Sequence, residues 1–171
     1  MPATYTLISS NVLTSSAASV TFSAIPATYT DLVVKISSRS DAAAIGNNIE
    51  LQFNGDTATN YSTTTVGGNG ATASSQNSSS NDHTAQFNGN TGANATATTF
   101  SNTEVYIPSY TVSQNKPIGG ISASENNATT GFNAANAGLW RNTAAITSIL
   151  INTSGNFVSG SSFYLYGISN A

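Results

Sequence analysis

Cysteine is absent from this chain of 171 residues, so neither a disulfide framework nor a thiolate metal site can form. Charge is also scarce: 6% of the residues are charged, against about 25% in an ordinary globular protein. The four basic residues are widely spaced, whereas phosphate binding requires clustered lysines and arginines, so we expect no nucleic-acid partner. No segment approaches the ~20 apolar residues of a membrane-spanning helix, and we expect no membrane partner. Because charge is so scarce, the solubility of the chain must depend on hydroxyl and amide groups.

What the sequence does contain is a series of short β-strand patterns. Asn48–Phe53 alternates strictly, which predicts Ile49, Leu51 and Phe53 on the buried face, and it ends at a strong turn signal, Asn54-Gly55-Asp56. Further strands are predicted at Tyr5–Ile8, Ser19–Phe22, Asp31–Ser38, Phe100–Ile107, Lys116–Glu125 with a bulge at its glycines, Ala145–Ile151 and Phe163–Ile168. Eight to ten short strands without a convincing helix predict one all-β domain over residues 1–171. We expect an antiparallel β-sandwich, most plausibly a jelly roll.

Residues 66–98 differ from the rest of the chain, because they consist almost entirely of Gly, Ser, Asn, Thr and Ala. Within them only His83–Asn88 resembles a strand, and Asn88-Gly89 is expected to turn it. This composition predicts a long exposed loop or hairpin, inserted into the sandwich. The functional alternative is an arm that contacts a partner and becomes ordered on assembly.

The residues that could support catalysis are few. His83 is the only histidine, and it follows Asp82 among many serines, so a Ser-His-Asp arrangement can be written; a flexible polar loop would not hold it rigidly. Glu50 and Glu104 are predicted on the outward faces of their strands, where carboxylates are ordinarily solvated. We expect no enzymatic activity and no catalytic residues.

Metal or cofactor binding is not predicted either. One histidine and no cysteine exclude the ordinary zinc sites. Asn54-Gly55-Asp56 and Asn47-Asn48 could offer oxygens to calcium, but the twelve-residue acidic loop is missing and turn chemistry explains both segments. Gly67-Gly68-Asn69-Gly70 lacks the lysine and the helix that follow a phosphate-binding loop. We therefore expect no cofactor and no metal.

Four residues are candidates for a contact or glycan-binding surface. Tyr106 and Tyr110 flank Pro108, and Trp140, the only tryptophan, precedes Arg141. Aromatic rings stack on sugars and anchor protein interfaces. The alternative is that Trp140 is a core anchor at the start of a strand, which the apolar run Gly138-Leu139-Trp140 favours.

Several of these strand and turn motifs resemble a family of small virion surface proteins of tailed phages, including cyanophages. The resemblance covers nearly the whole chain except residues 66–98. It is carried by Val20–Pro26, Tyr29–Val34, Leu51–Asp56, Asn60–Ser62, Val105–Tyr110, Ala137–Trp140, Ala144–Ile149, Gly155–Phe157 and Leu165–Ile168. These motifs are structural, so no functional residue is carried over from the family.

The resemblance implies a component of the virion that is made in the host cytoplasm; Met1-Pro2-Ala3-Thr4 lacks the basic and apolar regions of a signal peptide. The leading hypothesis is a capsid decoration, or cement, protein that binds the major capsid protein, because no coiled-coil or collagen-like shaft is apparent. The alternative is a tail-fibre or receptor-binding module that recognises a host surface glycan. Uncharged sheet edges also predict a homo-oligomer, a trimer or a dimer.

Overall fold

The computed structural model describes residues 4–169 and contains twelve β-strands. In chain order these are β1 Tyr5–Val12, β2 Ala17–Phe22, β3 Asp31–Ser37, β4 Gly46–Phe53, β5 Tyr61–Gly68, β6 Ala73–Asn81, β7 Thr84–Thr91, β8 Asn102–Ile107, β9 Lys116–Glu125, β10 Gly131–Trp140, β11 Ile149–Phe157 and β12 Ser162–Ile168. Residues 4–169 include no α-helix, and hence none of the length and apolarity needed to span a membrane. The predicted all-β class is confirmed.

The strands form two antiparallel sheets that pack face to face. The larger sheet has the order β1-β12-β3-β8-β9-β10-β5-β6, and the smaller has the order β2-β11-β4-β7. Eight of the strands pair in a nested series: β1 with β12, β2 with β11, β3 with β8 and β4 with β7. This nesting describes one long antiparallel hairpin folded over on itself, which is the jelly-roll arrangement.

Two hairpins are inserted into this jelly roll, and they widen only the larger sheet. The β5–β6 hairpin follows β4, and the β9–β10 hairpin follows β8. β9 pairs with β8, while β10 pairs with both β9 and β5, so the two insertions are contiguous in space. They extend a four-stranded jelly-roll sheet to eight strands and make β6 its far edge.

The apolar core lies between the jelly-roll strands of the two sheets. Ile49, Leu51 and Phe53 are each 0% exposed, as their alternation predicted. They pack in one cluster with Leu32 and Val34 of β3. Burial of such side chains stabilises the fold by about 1.5–3 kcal/mol each. The turn after β4 is also as predicted, because Asn54 and Gly55 both adopt a positive φ, of 55° and 68°.

Residues 66–98, expected as a long exposed loop or hairpin or as an arm, are mostly strand, and the first part of them belongs to the inserted β5–β6 hairpin. They contain the end of β5, all of β6 and all of β7, and the residues outside strands are 69–72, 82–83 and 92–98. The predicted strand at His83–Asn88 corresponds to β7, which continues past Asn88-Gly89 to Thr91. A register shift against β4 falls at this point, with Asn88 at a φ of 49°, so Asn88-Gly89 forms a bulge and not a turn.

Three other strand predictions need correction. β9 has the predicted bounds but pairs regularly with both neighbours, without a bulge; its Gly120 instead leaves room for the buried side chain of Gln86. Ala145–Ile151 is strand only from Ile149 onward. Trp140 ends β10 and does not start a strand, because the preceding alternation of alanines with polar residues is itself a strand.

Candidate interaction surfaces

Trp140, a candidate for the contact surface, is a core residue. Its side chain is 0% exposed and stacks on the Tyr61 ring at a centroid distance of 6.2 Å and an interplanar angle of 17°. The Phe53 ring lies 5.5 Å away. Trp140 Nε1 donates a hydrogen bond of 2.8 Å to Asp56 Oδ2 at the β4–β5 turn. The ring therefore has no face available for a sugar.

Tyr110 is likewise buried, and its hydroxyl donates to the carbonyl of Pro26. Burial raises the pKa of Tyr110. Tyr106 is 41% exposed on the outer face of β8, but its hydroxyl donates to Asp31 Oδ2 at 2.6 Å. That hydrogen bond is the main cause that raises the pKa of Tyr106 to about 12. Of the three aromatic candidates, Tyr106 alone is accessible.

Arg141, the fourth candidate, is exposed, yet its guanidinium serves the fold. Nη2 donates to the carbonyls of Thr59 and Ser79 at 2.9 Å each and to that of Tyr61 at 3.4 Å. These bonds tie the β4–β5 loop, β5 and β6 together. The structure therefore uses the four predicted residues mainly for internal contacts and does not assemble them into one binding surface.

His83 lies between two carboxylates. Its Nδ1 is 2.8 Å from Asp82 Oδ1, and its Nε2 is 3.6 Å from Glu50 Oε1. Glu50 faces His83 from the outer side of β4, and Glu104 forms an exposed ion pair of 2.9 Å with Lys35 on the outer side of β8. Both carboxylates therefore lie on the faces that their alternation predicted.

The oxygens considered for calcium already accept protein hydrogen bonds. Asn54 Oδ1 accepts from the backbone amides of Thr147 and Ser148 at 2.8 and 3.1 Å. The Asp56 carboxylate accepts from Trp140, Asn60, Asn142 and the Ala58 amide. Across residues 4–169 no group of three or more His, Cys, Asp or Glu side chains is placed to hold a metal ion.

The sequence did not reveal the role of Lys116. Its side chain is 0% exposed, and Nζ donates to the carbonyls of Val112, Gln114 and Thr143 at 2.7, 2.5 and 3.3 Å. Burial lowers its pKa. This cation joins the loop before β9 to the loop after β10, and its position at the start of an alternating strand gave no sign of that function.

The outer face of the eight-stranded sheet carries an exposed apolar group that we call the outer patch: Ile121, Ala135 and Val66. The three residues lie in one cross-strand row of β9, β10 and β5, between Glu104 of β8 and Ser75 of β6. Ile121 is 64% exposed and Val66 is 56% exposed. Exposed apolar groups of this kind on a sheet face mark interaction sites more often than isolated apolar residues do.

The edge of the smaller sheet, β7, is closed by side chains of the opposite sheet. Thr63 Oγ1 and Asn136 Oδ1 accept from the backbone amides of Ala85 and Phe87 at 3.1 and 3.0 Å. Ser122 Oγ and Thr103 Oγ1 donate to the carbonyls of Phe87 and Gly89 at 2.6 and 2.8 Å. This explains why the inward positions that face β7 are hydroxyls and amides, since an apolar side chain could not satisfy the β7 backbone.

β6, the edge strand of the larger sheet, forms one wall of a cleft that residues of β7 also line. The cleft has a volume of about 170 Å³. Its lining is polar apart from one alanine and one half-buried phenylalanine ring: Asn48, Thr63, Thr65, Gln76, Asn77, Ser78, Asn81, His83, Ala85 and Phe87. It contains no lysine or arginine, so an uncharged polar ligand suits it better than an anion.

The fold assigns the protein to the class of jelly-roll β-sandwiches, here with two inserted hairpins that widen one sheet. A scan of protein-family models found no match, and no curated protein sequence is significantly similar. Jelly rolls occur both in viral capsid proteins and in lectins. The fold class therefore does not define the biological role, which must be argued from the surfaces described above.

Proposed function

We propose that this protein is a non-enzymatic structural component of a tailed-phage particle. It acts as a capsid decoration protein that lies on the shell and stabilises the head through contacts with the major capsid protein. The observation that carries the proposal is the outer patch on the widened sheet. Ile121 and Val66 remain exposed there in a chain with very little surface charge. An exposed apolar group with few charges around it has the composition of the centre of a protein interface.

The location in the particle is tested directly by cryo-electron microscopy of the virion. We expect density for a twelve-stranded jelly roll at many symmetry-related positions on the icosahedral shell. The copy number measured by gel densitometry of purified virions should match that density. Density confined to the tail or to the fibres, or only a handful of copies per particle, would contradict the proposal.

The outer patch predicts the effect of one substitution on shell binding. Val66→Lys places a charge in the outer patch between Ala135 and Ser75, where no cross-strand neighbour is acidic and the desolvation of the lysine is not compensated. We expect binding to decoration-free capsids, measured by co-sedimentation, to weaken about tenfold or more. Val112→Lys makes the same kind of change at a residue that is 50% exposed in the loop before β9, outside the patch, and should bind like the wild type. Equal binding by the two variants would show that the patch is not the contact.

A second candidate function, a receptor-binding module for host surface glycan, is favoured by the cleft beside β6. Gln76, Asn48 and Asn81 supply amides to it, and Phe87 supplies a half-buried ring. Neutral sugars are bound by this combination, in which amides donate and accept hydrogen bonds while the ring packs on the apolar face of the sugar. This ligand would occupy the cleft and not the buried Trp140.

A glycan array that carries neutral and anionic bacterial sugars tests the second candidate. Binding restricted to neutral glycans is expected, and Phe87→Leu should abolish it, because leucine keeps the apolar volume but cannot stack. Phe100→Leu makes the same change at another half-buried phenylalanine, outside the cleft, and should leave binding intact. No binding to any glycan, or equal binding by both variants, would remove this candidate.

A further inference from the structure

β6 is a regular strand that buries nothing. None of its nine residues is buried and seven are exposed, although it pairs with β5 along its length. Ordering a residue costs about 1–2 kcal/mol of backbone entropy, which strands normally recover by burying one face. One ladder of hydrogen bonds, without a buried face, is a weak source of compensation. The backbone groups of β6 on the side away from β5 are therefore available to pair with another strand.

The features that usually protect an edge strand are missing from the first two thirds of β6, from Ala73 to Ser78; a register shift and the Arg141 guanidinium on the Ser79 carbonyl protect only its end. Natural edges carry lysines, prolines or inward charges, or are covered by other groups. The sequence of β6, ASSQNSSSN, has no charge and no proline. Its neighbour in space, β7, has its backbone closed by four side-chain hydrogen bonds. From Ala73 to Ser78, no comparable side chain covers the outer backbone groups of β6 in the part of the chain that the structure describes.

We propose that β6 pairs antiparallel with β6 of a second copy of this chain, about a two-fold axis. The two eight-stranded sheets then become one continuous sheet across a dimer. This inference makes specific the homo-oligomer that the sequence predicts, and it makes no use of the proposed location in the particle. An isologous pairing uses the same edge on both copies, so the assembly closes at two chains.

The sequence of β6 is compatible with pairing to itself. In a register centred on Gln76, Ser75 lies opposite Asn77 of the partner subunit and Ser74 lies opposite Ser78 of the partner subunit, so polar residues face polar residues. The regular run Ala73–Ser78 is long enough for this ladder, because the register shift against β5 comes after Ser78. In the same register, Asp82 extends toward the uncharged β5–β6 turn of the partner subunit, and no like charges meet.

The other edge of the same sheet, β1, is a poorer partner for β6. Its pairing with β12 is interrupted by a register shift between Leu7 and Ser9, which divides the strand into two short runs. It also exposes Leu7 and Val12, at 51% and 55%, which would lie opposite polar residues of β6. A contact between β1 and β6 would also be heterologous and would produce chains of copies or rings.

The proposal is tested by light scattering of the purified full-length chain during size exclusion. We expect the wild type to have twice the 17.4 kDa mass of the single chain. The variants Ser75→Lys/Asn77→Lys and Ser75→Glu/Asn77→Glu place like charges opposite each other across the two-fold axis, so each alone should be monomeric. An equimolar mixture of the two should recover the dimer mass, because lysines then face glutamates. The substituted side chains are exposed, so thermal unfolding confirms that both variants are folded.

A matched control places the same two lysines on another uncharged edge. Ser19→Lys/Thr21→Lys changes two exposed residues of β2 and should leave the dimer mass unchanged. Hydrogen exchange should show protected amides in β6 of the wild type and loss of that protection in each charged β6 variant. A wild type that is monomeric at its highest soluble concentration, charged β6 variants that remain dimeric, or open-ended assemblies would each overturn the proposal. None of these results would contradict the proposed location in the virion, which the cryo-electron microscopy tests separately.

Discussion

Trp140→Ala is expected to lower the free energy of unfolding by about 3–5 kcal/mol. The ring is 0% exposed and packs between Phe53 and Tyr61, so its removal leaves a large cavity at the junction of β4, β5 and β10. The variant also loses the 2.8 Å hydrogen bond from Trp140 Nε1 to Asp56. A domain of ordinary stability has about 5–15 kcal/mol in total, so much of the stability would be lost. Chemical denaturation of the two proteins measures the difference.

Trp140→Phe separates packing from hydrogen bonding and provides a variant that folds if the alanine variant does not. It keeps an aromatic ring against Tyr61 but removes the indole donor, so a smaller loss of about 1–2 kcal/mol is expected. Equal and small losses in both variants would mean that the ring is not a core anchor. Any effect of Trp140→Ala on glycan binding should follow the loss of folded protein, because the side chain does not reach the surface.

The stability of the wild type should fall by about 1–2 kcal/mol between pH 4.5 and pH 2 because of Asp56 alone. Hydrogen bonds from Asn60 and Trp140 are the largest causes that lower the pKa of Asp56 from 3.8 to about 2. A carboxyl with a lowered folded-state pKa stabilises the fold at pH values above its unfolded pKa. That contribution is lost as the pH falls through the interval from 3.8 to about 2. The figure is below the full linkage value because Asp56 is partly exposed and solvent screens the interaction.

Asp56→Asn tests this assignment, because the difference between wild type and variant cancels the other titrating groups. We expect the variant to be less stable than the wild type at pH 7 and nearly equal to it at pH 2. Glu125→Gln, a change at an exposed carboxyl, should follow the wild type at every pH. A stability difference between wild type and Asp56→Asn that does not change with pH would contradict the role of the ionised carboxylate.

Sequence patterns located the jelly-roll strands well wherever one face is apolar and the other polar. β4, with Ile49, Leu51 and Phe53 inward, is an example, and the Asn54-Gly55 turn that follows it has the positive φ values that those residue types tolerate. The period of two is determined by the pleat of the strand, so it is visible without knowledge of the partner strands. The polar, solvent-exposed faces of the sheets and the scarcity of charge were also evident from the sequence.

β5 and most of β10 were missed for a definite physical reason, whereas the inserted strand β9 was predicted with its correct bounds. The positions of β5 and β10 that face β7, such as Thr63 and Asn136, are polar because their side chains satisfy the backbone of β7 and do not fill an apolar core. A hydroxyl on the buried face cannot be distinguished in the sequence from a hydroxyl in a loop. For the same reason residues 66–98 have the composition of a loop although most of them lie in strands.

The candidate surface shows the same limit. Trp140 and Tyr110 are aromatic whether they anchor a core or bind a sugar, and only their 0% exposure in the folded chain decides between the two. The outer patch could not be predicted, since Val66 is far along the chain from the β9–β10 hairpin that carries Ile121 and Ala135.

Local periodicity and composition were enough to establish the all-β class, the alternating core strands and the lack of thiols and clustered charge. The joining of the hairpins β5–β6 and β9–β10 into one widened sheet became known from the folded chain alone. The folded chain also shows which edge is closed and which is open, because cross-strand pairing is a property of residues that meet in space and not of their order in the chain.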